Sequence, residues 1–153
     1  MKYSISKFMV EHNELGYLTQ NHYKILLDFI LCKSDMISLC TNSTPRYIKV
    51  IEQNAPEILF NLIEVERTNS TPVVETNLEI PVCYFKFGEN IISYLYNKQS
   101  LFDYVKFKNN WLDDVAFYRK GTCWLSTSTH EKLVLIDINY YKQYNLTSGV
   151  NLI

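Results

Sequence analysis

The stretch that decides the fold runs from Asp114 to Ile138, DVAFYRKGTCWLSTSTHEKLVLIDI. Val115–Arg119, Thr122–Thr129 and Leu133–Ile138 are dense in β-branched and aromatic residues. Lys120–Gly121 and His130–Glu131–Lys132 interrupt them as turns do. The pattern reads as a β-meander over residues 115–138. The same stretch holds Cys123 and His130, the first place to look for a nucleophile and its base. Seven residues apart on one strand, they would face opposite sides and lie roughly 20 Å apart at ~3.3 Å per residue. That exceeds hydrogen-bond reach, so the two do not form a catalytic pair.

Upstream of the meander, the strongest pattern is helical. Tyr23, Leu26, Leu27, Ile30 and Leu31 recur at helical spacing through Asn21–Lys33, and Thr19 or Asn21 can cap the first turn. This helix, apolar on most of its circumference, is expected inside the domain as its core organiser. The string Thr-Asn-Ser-Thr-Pro occurs at 41–45 and again at 68–72, with flanks that do not match. It reads as punctuation, a cap or a turn opened before Pro. A short helix is expected after Pro45, to about Gln53. A second is expected from Glu57 to about Glu66, where Ile58–Val65 fits a buried strand as well.

Leu78–Phe87, the loop Gly88–Glu89–Asn90 and Ile91–Tyr96 read as a hairpin near 78–96, with a helix from Asn90 as the competing reading. Ser100–Lys108 suggests one or two helical turns, and Asn139–Tyr144 is too short to classify. Helices early and strands late predict an α+β fold. An antiparallel sheet from the C-terminal half packs against helices from the N-terminal half, in a single domain over 1–153.

The 153 residues are 47% hydrophobic and 20% charged, enough for a core without staples and too apolar for wholesale disorder. Net charge is −1, which disfavours nucleic acid as a partner. The longest apolar run, Ile25–Cys32, is interrupted by Asp28 and too short to span a bilayer, so no membrane is expected. Residues 1–7 lack the apolar core of a signal peptide. Cys32, Cys40, Cys83 and Cys123 sit in apolar surroundings without regular spacing and read as free, buried thiols in the cytoplasm. Abundant Asn, Ile, Lys and Tyr beside two alanines point to an AT-rich genome, and a bacterial or phage origin is expected.

No motif carries chemistry. Gly121-Thr122-Cys123-Trp124 resembles the four residues around the nucleophile of papain-like proteases. That family's cysteine opens a helix and its histidine lies far downstream, whereas here a β-pattern follows and about thirty residues remain. Cys123 and Trp124 are therefore read as strand residues on opposite faces. His130–Glu131 begins like a zincin helix, but Val134 stands where the second histidine belongs. It reads as a polar turn in which the Thr129 hydroxyl and the Glu131 carboxylate satisfy local amides. His12 and His22 lie far away in sequence, and no Cys-x-x-Cys pair completes a zinc site. Four dispersed glycines make no phosphate loop. No catalytic residue, metal ligand or cofactor is expected.

What remains is surface. Between Glu52 and Glu89 seven glutamates stand against Arg67 and Lys86, a local balance of −5. Aromatics reach 14%, and those left over from the core suit an interface. The leading expectation is a small cytoplasmic protein-binding module without chemistry of its own. Its concrete form would be a bacterial immunity- or antitoxin-like inhibitor of a basic partner protein. The contact face is assigned to Glu57, Glu64, Glu66, Trp111, Asp113, Asp114, Tyr140 and Tyr141. Asp113–Asp114 are otherwise a polar connection into the first meander strand. Two alternatives stand beside it: a hydrolase or transferase whose site is assembled from distant segments, and a structural component of a phage or cell-surface assembly.

Overall fold

The computed structural model describes residues 3–41, 46–71, 75–104, 106–107 and 110–148. In chain order the elements are β1 (Ser4–Ile5), β2 (Met9–Glu11), α1 (Gln20–Lys33), β3 (Met36–Thr41), α2 (Tyr47–Asn54), β4 (Leu62–Ser70) and β5 (Glu75–Lys86). Then follow α3 (Glu89–Tyr96), β6 (Lys106–Phe107), β7 (Asn110–Arg119), β8 (Thr122–Ser128), β9 (Leu133–Asp137) and α4 (Ile138–Ser148). The strand order is β2-β9-β8-β7-β3-β5-β4, with β1 beside β8 and β6 beside β7. These neighbours pair antiparallel, except β1 with β8, which is parallel. The architecture is α+β, and the meander is β7, β8 and β9.

Alternation along the strands sorts the core into two clusters. Ile37 and Leu39 of β3, Cys83 and Phe85 of β5, and Val115 and Phe117 of β7 share a cluster with residues of α1, α2, α3 and α4. Met36 and Cys40, Val82 and Tyr84, Ala116 and Tyr118 face the other way, and Tyr3 and Met9 pack on that side. Cys123 belongs to this second cluster and Trp124 to the first, so the two do lie on opposite faces. Helix α1 begins where Thr19 Oγ1 accepts from the His22 amide. It buries Tyr23, Leu26, Leu27 and Ile30. Its far side is wetter than the periodicity suggested: Lys24, Ile25, Asp28 and Cys32 are exposed and Leu31 is half-buried. Cys32 is thus not one of the buried thiols, because it continues the Asp28 stripe at helical spacing.

Several sequence expectations are corrected. The hairpin near 78–96 does not form, because its second arm is α3. Ile91, Tyr94 and Leu95 are buried at helical spacing, and β5 takes β4 as its partner, with Glu64 opposite Tyr84 and Glu66 opposite Val82. The helix expected over 57–66 is a 3-10 turn at Pro56–Asn61 followed by β4. Pro at its first position starts that turn, and pairing with β5 overrides its continuation. Asp113–Asp114 are not a connection but part of β7. Asp113 pairs with Cys40, and Asp114 takes φ 55 at the register shift, a left-handed conformation that Asp tolerates. Asn139–Tyr144 belongs to α4. Of the two pentapeptides, residues 42–45 and Pro72 lie outside the described residues, as do Val105 and Lys108 of the expected 100–108 turns.

Candidate functional site

The eight residues assigned to a contact face do not share one surface. Glu64 and Glu66 lie on β4, at one end of the strand order, while Tyr140 and Tyr141 lie on α4, directly after β9 near the other. Glu64 accepts from the Tyr3 hydroxyl, and Glu66 Oε1 accepts from the Tyr84 hydroxyl at 3.2 Å. Asp113 is buried. Asp114 Oδ1 accepts from the Thr129 amide at 2.7 Å. Tyr141 is buried against His12, ring centroids 3.8 Å apart. Tyr140 is half-buried and stacked on Trp124 at 4.4 Å. Trp111 lies on β7, and its side chain is outside the described residues. The sheet's outward tyrosines, Tyr84 and Tyr118, are buried in the second cluster rather than presented to a partner.

Glu57 is exposed, and it has company that the sequence reading passed over. Phe60 is 89% exposed and Ile63 is 47% exposed. Glu57 and Phe60 are three apart in the 3-10 turn, a spacing at which side chains eclipse. They therefore stand on one face, with Ile58 turned into the core. From Glu52 to Glu66 the chain holds four glutamates and no cation. Inward of this ridge Lys98 sits over the rings of Tyr94 and Tyr104, 4.7 and 4.6 Å from their centroids. Burial lowers the Lys98 pKa, while Asp103 and Glu57 act in the opposite direction. The signal available in the sequence was the i, i+3 pairing of Glu57 and Phe60 directly after Pro56.

A different surface gathers around β8 and β9, towards the other end of the strand order from β4. A groove of about 530 Å³ lies between the β1–β2 segment, the β7–β8 turn and the start of α4. Lys7, Arg119 and Lys120 line it together with Trp124, Asp137 and Tyr140. Trp124 is fixed by a bond from its Nε1 to Ser34 Oγ at 3.0 Å. Asp137 is buried, with Oδ2 accepting from Ser6 Oγ at 2.6 Å and Oδ1 from the Asn139 amide at 2.8 Å. Beyond the turn, a second depression of about 240 Å³ shares Arg119 and Lys120 and adds Lys33, Ser34 and Asp35. The sequence did not mark these residues as a group, because three distant segments meet here.

Among the described residues, neither depression is lined by a histidine or a cysteine. His12 Nδ1 lies 2.8 Å from Glu14 Oε1, which also accepts from the Tyr141 hydroxyl at 3.3 Å, but this group lines neither depression. His22 and His130 are exposed. The His130 turn is held differently from the expectation. Thr129 Oγ1 accepts from the Asp114 amide across the strands, and the Glu131 amide is satisfied by Ser128 Oγ. Among the described residues, no group of three His, Cys, Asp or Glu side chains is placed to hold a metal ion, and no helix is long and apolar enough to cross a membrane. No family model matches the chain, nor does any curated protein or solved structure.

Proposed function

We propose that the chain works in the cytoplasm by binding a basic protein, without chemistry of its own, as an immunity- or antitoxin-like inhibitor would. The observation that carries this reading is Phe60, almost fully exposed on the face it shares with Glu57. Burying an aromatic side chain of this kind is worth ~1.5–3 kcal/mol, and folding leaves that gain unused. A partner can collect it. Glu52 and Glu57, both exposed, set the sign of the partner's surface. Carboxylates speed the encounter, while the Phe60 ring and Ile63 supply the desolvated anchor that slows separation.

The test is affinity capture from the native host with two baits, the wild-type chain and Phe60→Ser. Phe60 is exposed, so the variant keeps the fold. A basic protein recovered by the first bait and lost from the second supports the reading. Equal recovery by both baits, or no partner at all, overturns it. Glu57→Lys should reduce the association rate of a recovered partner, by an amount that shrinks as salt rises.

A further inference from the structure

We propose that the groove at the β7–β8 turn is a binding site for a small ligand carrying a terminal phosphate dianion, independent of the ridge around Phe60. Its volume of about 530 Å³ falls within the usual range of small-molecule sites, roughly 300–1,000 Å³. Among the described residues, three cations line it, Lys7, Arg119 and Lys120, against one carboxylate, Asp137. Both Asp137 oxygens already accept bonds, from Ser6 Oγ and the Asn139 amide, so this carboxylate is committed to the wall. The lining thus carries a formal +2. A phosphate monoester neutralises that charge, whereas a carboxylate leaves half of it standing. The Arg119 fork suits two phosphate oxygens and the lysines act as point charges. Ser4 Oγ and Thr122 Oγ1, 2.7 Å apart, add hydroxyls to the same wall. Tyr140, half-buried, and Phe8, 59% exposed, give the rest of such a ligand an apolar border.

The backbone of the turn is the second observation. Lys120 takes φ 49 and Gly121 φ 79, between Arg119 and Thr122, which pair with each other. Two-residue turns with both φ values positive favour Asn, Asp or Gly at the first position. A lysine there is a local misfit of the sort that points to its side chain. The misfit is held from outside: the Lys120 amide donates to Asp35 Oδ2 at 2.9 Å, and the Asp35 amide donates to the Tyr118 carbonyl at 2.9 Å. The depression on the far side adds Lys33 and Asp35, whose charges offset each other, so the field is set by the groove's own cations.

The experiment is an amide NMR titration of the whole chain with adenosine 5′-monophosphate and, separately, inorganic phosphate. Saturable shifts centred on Lys7, Gly121 and Thr122 are expected with either probe. Lys120→Asn, which suits the turn better than lysine, and Arg119→Gln should each raise the dissociation constant about tenfold, or ~1.4 kcal/mol. Lys142→Gln, on an exposed position of α4 outside the groove, should leave it unchanged. Lowering the pH from about 7.5 to about 5, through the second phosphate pKa of about 6, should weaken binding. Shifts that never saturate, or an equal loss in the Lys142 variant, overturn the proposal. So does tighter binding of a single-stranded oligonucleotide without a terminal phosphate.

Discussion

Asp114 and Thr129 bond to each other twice across the meander. The Thr129 amide donates to Asp114 Oδ1 at 2.7 Å, and the Asp114 amide donates to Thr129 Oγ1 at 3.4 Å. The pair lies just beyond the Ala116–Ser126 end of the β7–β8 ladder, where the pairing of β7 with β3 shifts register and Asp114 turns left-handed. Asp114→Ala removes the acceptor and leaves a side chain poorly suited to positive φ. We expect a loss of ~1–3 kcal/mol in chemical denaturation, the cost of an unsatisfied buried donor. Asp114→Asn keeps an acceptor and tolerates the backbone, so it should lose less than half as much. Equal losses would show that the carboxylate charge, rather than this geometry, matters.

The meander and α1 were legible because each is specified locally. Lys120–Gly121 can only turn, and Leu26, Leu27 and Ile30 can share a face only in a helix. The errors fall where a distant partner decides. Ile91–Tyr96 alternates well enough for a strand, but β5 is already flanked by β3 and β4. Leu62–Ser70 becomes a strand only because β5 offers an edge. The candidate surfaces follow the same division. Phe60 could be found from its spacing to Glu57, whereas the groove joins Lys7, Arg119 and Asp137, and no local pattern links them.

The four thiols should separate cleanly by reactivity. Cys32 is exposed, while Cys40, Cys83 and Cys123 are buried and all four are free. Burial pushes Cys83 and Cys123 up to about 12, and raises Cys40 well above its usual value. A thiol held protonated inside the core does not attack. Titration of the native chain with an aromatic disulfide should therefore modify one cysteine quickly and four after unfolding. Cys32→Ser should abolish the fast phase, and a fast phase surviving in that variant would contradict the burial of the others.

Alkaline pH should loosen the second cluster through Tyr3. Its hydroxyl donates to Glu64, and its ring lies 4.5 Å from that of Tyr84. Burial, with the Glu64 bond and the charges of Glu64 and Glu66, pushes its pKa from 10.0 up to about 12. The folded chain thus keeps a proton that the unfolded chain releases above pH 10.0. The contribution is whole below that pH and is lost as pH rises towards 12. Tyr3→Phe has no phenol to ionise there. Its stability should fall less steeply over this window than that of the wild type, in denaturation measured at stepped pH. An identical slope would mean that Tyr3 ionises as freely folded as unfolded.

Gly16 is required by Phe102. A Cβ at Gly16 would stand 1.9 Å from Phe102 Cε2 and 2.4 Å from Cδ2, so the obstacle is steric. The ring has little room to retreat. Phe102 is buried, with Tyr17 set edge-on at 5.4 Å and Lys132 Nζ 5.2 Å from its centroid. Overfilling a packed site costs ~1–3 kcal/mol, more than the ~0.4–1 kcal/mol that Gly→Ala returns by restricting the unfolded chain. Gly16→Ala should therefore destabilise. Phe102→Ala should destabilise as well, by opening a cavity. Because the added methyl would occupy part of that cavity, the double variant should lose clearly less than the sum of the two. Losses that add to within ~0.5 kcal/mol, as they do for independent sites, would show that Gly16 and Phe102 do not press on each other.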